Sequence, residues 1–403
     1  MIELQDIGPP GPPTAVYVHV PFCRDRCVYC AFPTVPDDPS AHAALVDAVL
    51  LEAAPRREGL PPLTSLYLGG GTPGLLAPAE LQRLLAGLPS RSSGAELTLE
   101  VNPANVDSDA LSSWSDLGIN RVSIGIQTFR DDVLKMLARR HDGARASQAL
   151  ALLATDWPRD WTADLLVGWT GQGADDADLD VRRLLEFEPP HVSVYGLTVE
   201  PLTILARQQA SGVAVTAPPD SLPDLDDAWS RRLETAGLER YEVSNFARGG
   251  RRSRHNQAYW TNRSYLGFGP GAASSVHPLR WSNERDPAAY QRLVQAGRSA
   301  RAHAERLTPE QRLLESLAIG LRTLDGLELA ELDRRFGAAW RPLVEQAARE
   351  ALPPDTLQWH AERLFLAPRD LVKVDRITAE LAARLPRDRN VSQSTTGSFE
   401  GVS

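Results

Sequence analysis

Between residues 15 and 197, short runs of β-branched and other apolar residues alternate, six times over, with stretches of helical periodicity. Little besides parallel strands joined by helical crossovers produces that alternation. The pattern predicts strands near 16–20, 64–68, 96–101, 121–126, 162–167 and 191–197, and helices near 40–54, 78–87, 108–117, 131–156 and 175–186. Six βα repeats make an α/β fold, either a partial barrel or an open doubly wound sheet. Both bind ligands beyond the carboxyl ends of their strands.

Every one of those strand ends carries a polar or glycine feature. The first runs into Cys23-Arg-Asp-Arg-Cys27-Val-Tyr-Cys30 and the second into Gly69-Gly-Gly-Thr-Pro73. The third ends at Glu100-Val-Asn-Pro103 and the fourth at Gln127; the fifth contains Asp164, and the sixth ends at Tyr195-Gly196. Singly, each has an ordinary explanation: a tight glycine turn, a satisfied strand-end carboxylate, a neighbour of a helix cap. Together on one rim they predict a ligand site assembled from all six strands.

The cysteine loop narrows the chemistry. Its three cysteines are the only ones in 403 residues, too few for a complete set of disulfides or a four-thiolate zinc site. Three thiolates suit a [4Fe-4S] cluster, whose fourth iron stays open to a small molecule binding through oxygen and nitrogen. Zinc with His19 as a fourth ligand is the structural alternative.

Composition bounds the partners. A net charge of −9 and a pI near 5.5 argue against nucleic acid held through phosphates. No run of 18 apolar residues occurs, and Met1-Ile-Glu-Leu-Gln-Asp6 lacks the basic and apolar regions of a signal peptide. A cytoplasmic location is expected, which also keeps thiols reduced. Residues 1–14 read as a flexible lead-in and 15–300 as the core domain. Residues 301–386 form a helical C-terminal domain, with Thr308-Pro-Glu-Gln311 capping its first helix and 357–366 forming a hairpin wing; 387–403 read as a disordered tail. The winged-helix shape lacks a basic recognition helix, which points to a lid or docking surface.

Tyr17-Val-His-Val-Pro-Phe-Cys23 with its loop, Gly69 to Leu76, Glu100-Val-Asn-Pro103, Ser123-Ile-Gly-Ile-Gln-Thr-Phe129, Ala138-Arg-Arg-His141, Asp164-Leu-Leu-Val-Gly168 and Tyr241-Glu-Val-Ser-Asn-Phe246 resemble a known family. It is the oxygen-independent coproporphyrinogen III oxidase family of radical S-adenosylmethionine (SAM) proteins, and the likeness spans about residues 15–385. It implies a radical-SAM partial (βα)6 barrel followed by a small helical, winged-helix-like domain. It implies that Cys23, Cys27 and Cys30 hold the cluster, with Tyr17 and Tyr29 nearby, and that an electron donor serves it. Gly70, Gly71 and Thr72 would meet the methionine end of SAM. Glu100, Gln127, Arg139 and Asp164 would meet its carboxylate, amino group or ribose, and Gly196 would lie beside the adenine.

Three features separate the family's heme chaperones from its oxidases. Cys30 is followed by Ala31-Phe32 and not by a fourth cysteine, only 22 residues precede Cys23, and His255-Asn-Gln-Ala-Tyr-Trp260 is similar to the chaperones' His-Asn-x-x-Tyr-Trp motif. The resemblance thus implies a chaperone that carries heme as cargo to respiratory acceptor proteins, with peripheral association at the membrane surface. The alternative is a radical oxidoreductase acting on a tetrapyrrole, such as a decarboxylating coproporphyrinogen oxidase. His255 is the candidate heme residue, behind the arginines of 248–254 as propionate partners. Its alternative is a solvated basic loop followed by a histidine bonded to its own chain. Departures at Gly168-Trp-Thr-Gly-Gln172 and Ala31 bear on the substrate side of the pocket.

Overall fold

The computed structural model describes residues 11–337 and 340–385; the expectations for residues 1–10 and for the tail at 387–403 fall outside the described residues. Six strands follow one another in sequence order across one sheet, each parallel to the last: β1 (Ala15–Val20), β2 (Leu63–Gly70), β3 (Arg91–Val101), β4 (Arg121–Gln127), β5 (Asp160–Val167) and β6 (His191–Gly196). Helices Pro39–Ala53, Pro78–Gly87, Ser108–Asp116, Gly143–Asp156 and Ala174–Leu185 make the crossovers.

Alternation along these strands decides between barrel and open sheet. One set of side chains, including Val16, Val18, Leu66, Leu68, Leu97, Leu99, Val122, Ile124, Ala163, Leu165, Val192 and Val194, is buried in one core with Leu45, Val49, Leu84, Leu150 and Leu184 of the helices. Burying each large aliphatic side chain contributes about 1.5–3 kcal/mol. The intervening residues are Tyr17 and His19; Ser65 and Tyr67; Glu96, Thr98 and Glu100; Arg121 and Ser123; Thr162 and Asp164; His191 and Ser193. A doubly wound sheet needs apolar residues on both faces. Here one face is apolar beneath helices and the other polar, so the strands are the wall of a partial barrel with a polar lumen.

Two stretches differ from expectation. The helix expected over 131–156 is two, Asp131–Met136 and Gly143–Asp156. Asp142 caps the second by accepting from Arg145 N, and His141 donates from Nε2 to the Ile126 carbonyl, which ties the break to the end of β4. The second is the expected domain boundary at 300: residues 265–277 supply strand Tyr265–Phe268, parallel to β1, and strand Ala273–Val276. Antiparallel pairing continues through Leu279–Asn283 to Arg301–Arg306, so the large sheet runs past the expected boundary at 300.

The C-terminal region has its own core of Leu313, Leu317, Leu332, Phe336, Trp340, Val344 and Leu364. Helix Pro309–Gly320 opens with a capping box of Thr308 and Gln311, and the 357–366 stretch is a hairpin, Leu357–His360 with Arg363–Leu366. Backbone bonds Val243 N to Arg322 O (2.9 Å) and Leu324 N to Tyr241 O (3.0 Å) join it to the barrel. Among the described residues no helix is long and apolar enough to cross a membrane.

Candidate functional site at the carboxyl rim of the barrel

The cysteine loop leaves β1 at the rim and is clamped on both sides. On one side lies the break between helices, where Ala138 takes a left-handed conformation (φ 56°) that a non-glycine residue adopts only at a cost. That turn brings Arg139 Nη1 to 3.5 Å from Cys27 Sγ, pairs Arg140 with Asp25, and puts Leu137 O in reach of Val28 N. On the other side Arg285 donates to the Ala31 carbonyl (2.6 Å), and Gly271 packs so tightly on Pro33 that a Cβ would lie 2.4 Å from its ring.

All three thiols are free and half-buried. Burial pushes Cys23 up to about 12 and Cys30 upward as well, so a strongly positive centre is needed to hold them as thiolates. The zinc alternative does not fit. Among the described residues no three His, Cys, Asp or Glu side chains gather closely enough for one metal ion. His19 is committed elsewhere: Nε2 donates to the Pro33 carbonyl (2.8 Å), Nδ1 accepts from the Tyr17 hydroxyl (3.1 Å), and burial lowers it to about 4. Three free, half-buried thiols in one loop are the donor set that a [4Fe-4S] cluster with one open iron takes.

Next to the loop lies a bare backbone cradle. A Cβ on Gly70 would meet the His19 ring at 2.5 Å, and one on Gly71 would meet the Phe22 carbonyl at 2.5 Å. Gly70 also has φ 113°, so glycine is required twice over. Its N–H donates to Glu100 Oε2 (2.9 Å), while the Tyr67 hydroxyl donates to Oε1 (2.7 Å). Burial raises Glu100 to about 7 despite those bonds, and raises Asp164 to about 6. Asp164 accepts from Ser123 Oγ (2.9 Å) on one oxygen, and the other is buried without a partner. Both carboxylates favour a cationic ligand, which would repay their desolvation.

Of the expected residues, Cys23, Cys27, Thr72 and Arg139 form one connected group, and Gly70 with Glu100 forms a second. Tyr17 stacks on Tyr67 (6.0 Å, 26°), and Tyr29 packs with Val28, Leu137 and Leu205 beside the loop. Gln127 sits at a β-bulge with φ 70°, its side chain over Gly125. Gly196 is exposed at the mouth, and a Cβ there would meet nothing, so packing does not require glycine.

His255, the residue expected to meet heme, is not at this rim. Its helix, Arg254–Trp260, lies on the lumen side near the amino ends of the strands. The ring is 1% exposed; Nδ1 pairs with Ser65 Oγ (3.0 Å), Nε2 with the Tyr259 hydroxyl (2.8 Å), and the face stacks on Tyr67. Glu96 accepts from His255 N and Arg254 N (both 2.9 Å), capping the helix from β3. With both nitrogens engaged and burial lowering it to about 3, His255 is a neutral structural group closing the floor.

Sequence reasoning gave no role to Asn102, Gly125, Tyr67 or His141, all of which hold rim residues. Asn102 was visible inside Glu100-Val-Asn-Pro103; its partners lie 30 and 37 residues away and carry no local signal.

This arrangement agrees with what the chain is similar to. Residues 17–184 match the Radical SAM superfamily and residues 307–371 the HemN C-terminal domain. The heme chaperone HemW of Synechocystis sp. is 34% identical over 79% of this chain and 80% of its own length. That of Mycobacterium tuberculosis is 32% identical over 94% and 98%. Among solved structures, Escherichia coli coproporphyrinogen III oxidase (HemN), described as a radical SAM enzyme, superposes with a TM-score of 0.79 at 20% identity, covering 93% of this chain and 91% of that one. That likeness fixes the fold, and the sequence identity to the chaperones fixes the branch. The chain belongs to the HemW family of radical SAM proteins.

Proposed function

We propose that this protein is a heme chaperone: it binds heme, holds a SAM-coordinated [4Fe-4S] cluster at the barrel rim, and hands heme to acceptor proteins of respiration. The observation that carries this reading is the 34% identity to a heme chaperone across four-fifths of both chains. The cluster ligands are Cys23, Cys27 and Cys30. SAM is received by the Gly70-Gly71-Thr72 cradle, by Glu100, Asp164, Gln127 and Arg139, by Tyr17 and Tyr29 at its flanks, and by Gly196 at the adenine. When bound and reduced by an external electron donor, the cluster and SAM supply one-electron chemistry at the open iron.

The chain's own residues do the rest. Glu100 and Asp164 offer buried negative charge to the cationic end of SAM, and Arg139 offers a guanidinium aimed at a cysteine sulfur. For heme, the basic stretch at 248–254 presents Arg251, paired with Asp160 at 3.6 Å, and Arg252, paired with Asp325 at 2.6 Å. Such exposed pairs are worth little, so heme propionates would displace them readily. His255 follows that stretch, with its ring bonded to Ser65 and Tyr259. Transfer takes place in the cytoplasm, at the membrane surface where the acceptors reside.

The test is anaerobic reconstitution with iron and sulfide, heme titration, and parallel incubation with coproporphyrinogen III, SAM and reductant. Saturable heme binding without porphyrin conversion, weakened about tenfold by Arg251→Ala with Arg252→Ala, is expected. Catalytic formation of protoporphyrinogen would overturn the reading in favour of an oxidase.

A further inference from the structure

A hydrogen-bonded relay runs between two of the cluster cysteines. Arg139 Nη1 donates to Cys27 Sγ at 3.5 Å. Its Nη2 donates to Asn102 Oδ1 at 2.7 Å and to the Gly125 carbonyl at 2.5 Å. Asn102 Nδ2 donates to Thr72 Oγ1 at 2.8 Å, and Thr72 Oγ1 lies 3.9 Å from Cys23 Sγ.

The chemistry of the end groups fixes every direction in this chain. A guanidinium only donates, so Asn102 must turn its oxygen to Arg139 and its amide nitrogen to Thr72. Thr72 therefore receives a hydrogen bond on its oxygen and keeps its own proton free. A thiolate only accepts, so that proton points to Cys23. Thr72 is 1% exposed, which leaves no water to compete for it. Reversing the Asn102 amide would set donor against donor at Arg139 and turn the Thr72 proton away from the sulfur.

We infer that Asn102 is a positioning residue that sets the polarity of this relay, so that donors from Arg139 and Thr72 converge on Cys27 and Cys23 and stabilise the reduced cluster. The inference rests on the cluster reading above. Hydrogen bonds to cluster sulfurs favour the reduced state because reduction adds negative charge there. Asn102 touches neither sulfur; it acts through its two neighbours.

The isosteric Asn102→Asp reverses the polarity. A carboxylate accepts from both sides, so Thr72 donates to it and abandons Cys23. The experiment is an EPR-monitored redox titration of reconstituted full-length protein, as wild type, Thr72→Val, Thr72→Ser, Asn102→Asp and the Asn102→Asp/Thr72→Val double variant. In the wild-type background Thr72→Val should lower the ratio of reduced to oxidised cluster at fixed potential by about 2- to 10-fold, the worth of one hydrogen bond. Thr72→Ser, which keeps the hydroxyl, should not. In the Asn102→Asp background, Thr72→Val should change the ratio by less than about twofold, because the bond is already lost.

An equal effect of Thr72→Val in both backgrounds would overturn the relay. So would a wild-type background in which Thr72→Val and Thr72→Ser behave alike, a comparison that stands if Asn102→Asp fails to fold. Wild-type protein lacking a [4Fe-4S] signal would overturn the cluster reading itself, which separates the two failures.

Discussion

The rim and the floor of the barrel are built from the same six strands and the same kinds of residue, yet they behave differently. At the floor, Glu96 and His255 have every charged or ring atom matched: the carboxylate by Arg254 N, His255 N and Ser253 Oγ, the imidazole by Ser65 and Tyr259. At the rim, Asp164 keeps a buried oxygen without a partner, Glu100 is pushed to about 7, and Gln127 and Ala138 hold left-handed backbone. Satisfied polar groups stabilise a fold; strained and underpartnered ones gather where a ligand completes them. Polar residues in the lumen are therefore not evidence of function by themselves, and their bonding decides.

The sharpest way to break this contrast is to delete one group from each end. Cys27→Ala should abolish cluster assembly, read as iron and sulfide content, while leaving the urea midpoint nearly unchanged, because the thiol is half-exposed. Glu96→Ala should do the reverse. It strands three donors and should cost about 3–5 kcal/mol in urea unfolding, with a full complement of iron in whatever protein remains folded.

A smaller effect separates the ends by pH. His255 falls from its ordinary 6.5 to about 3 because burial penalises its charged form. The stability it contributes is present above pH 6.5 and lost as pH falls toward 3, since the unfolded chain takes up a proton that the folded chain refuses. His255→Gln removes that proton. The stability gap between wild type and variant should shrink by about 1.4 kcal/mol per pH unit below 6.5. A gap independent of pH would mean the ring is charged or solvated, contrary to its enclosure.

Smallest in its effect on the fold is Gly196→Ala, where the new methyl meets nothing. Melting should be unchanged while SAM affinity, measured by equilibrium dialysis on reconstituted protein, falls. Unchanged affinity would remove Gly196 from the adenine side of the site.

Much of the rim was legible in the sequence because its signals are local. Strand alternation, the glycine run and the cysteine spacing can be read within ten residues, and they predicted Cys23, Gly70 and Glu100 at one end of one sheet. What was not legible depends on partners far apart in sequence. The break at 137–142 looks helical by periodicity, and only contacts with Cys27 and Ile126 explain why Arg139 and His141 leave the helix. The bonding of the histidine motif was not legible either, because its capping carboxylate, Glu96, lies 159 residues away. A histidine two positions beyond an N-cap serine says nothing about whether its ring faces solvent or Ser65.

One measurement bears on this division most directly: parallel heme titration and iron analysis of His255→Gln and wild-type protein, both reconstituted anaerobically and checked for folding by circular dichroism. If the floor is structural, the folded variant binds cluster and heme with wild-type stoichiometry and affinity, and differs only in its urea midpoint. A folded, cluster-loaded variant that no longer saturates with heme would put the heme iron on His255 and move the functional pole to the floor.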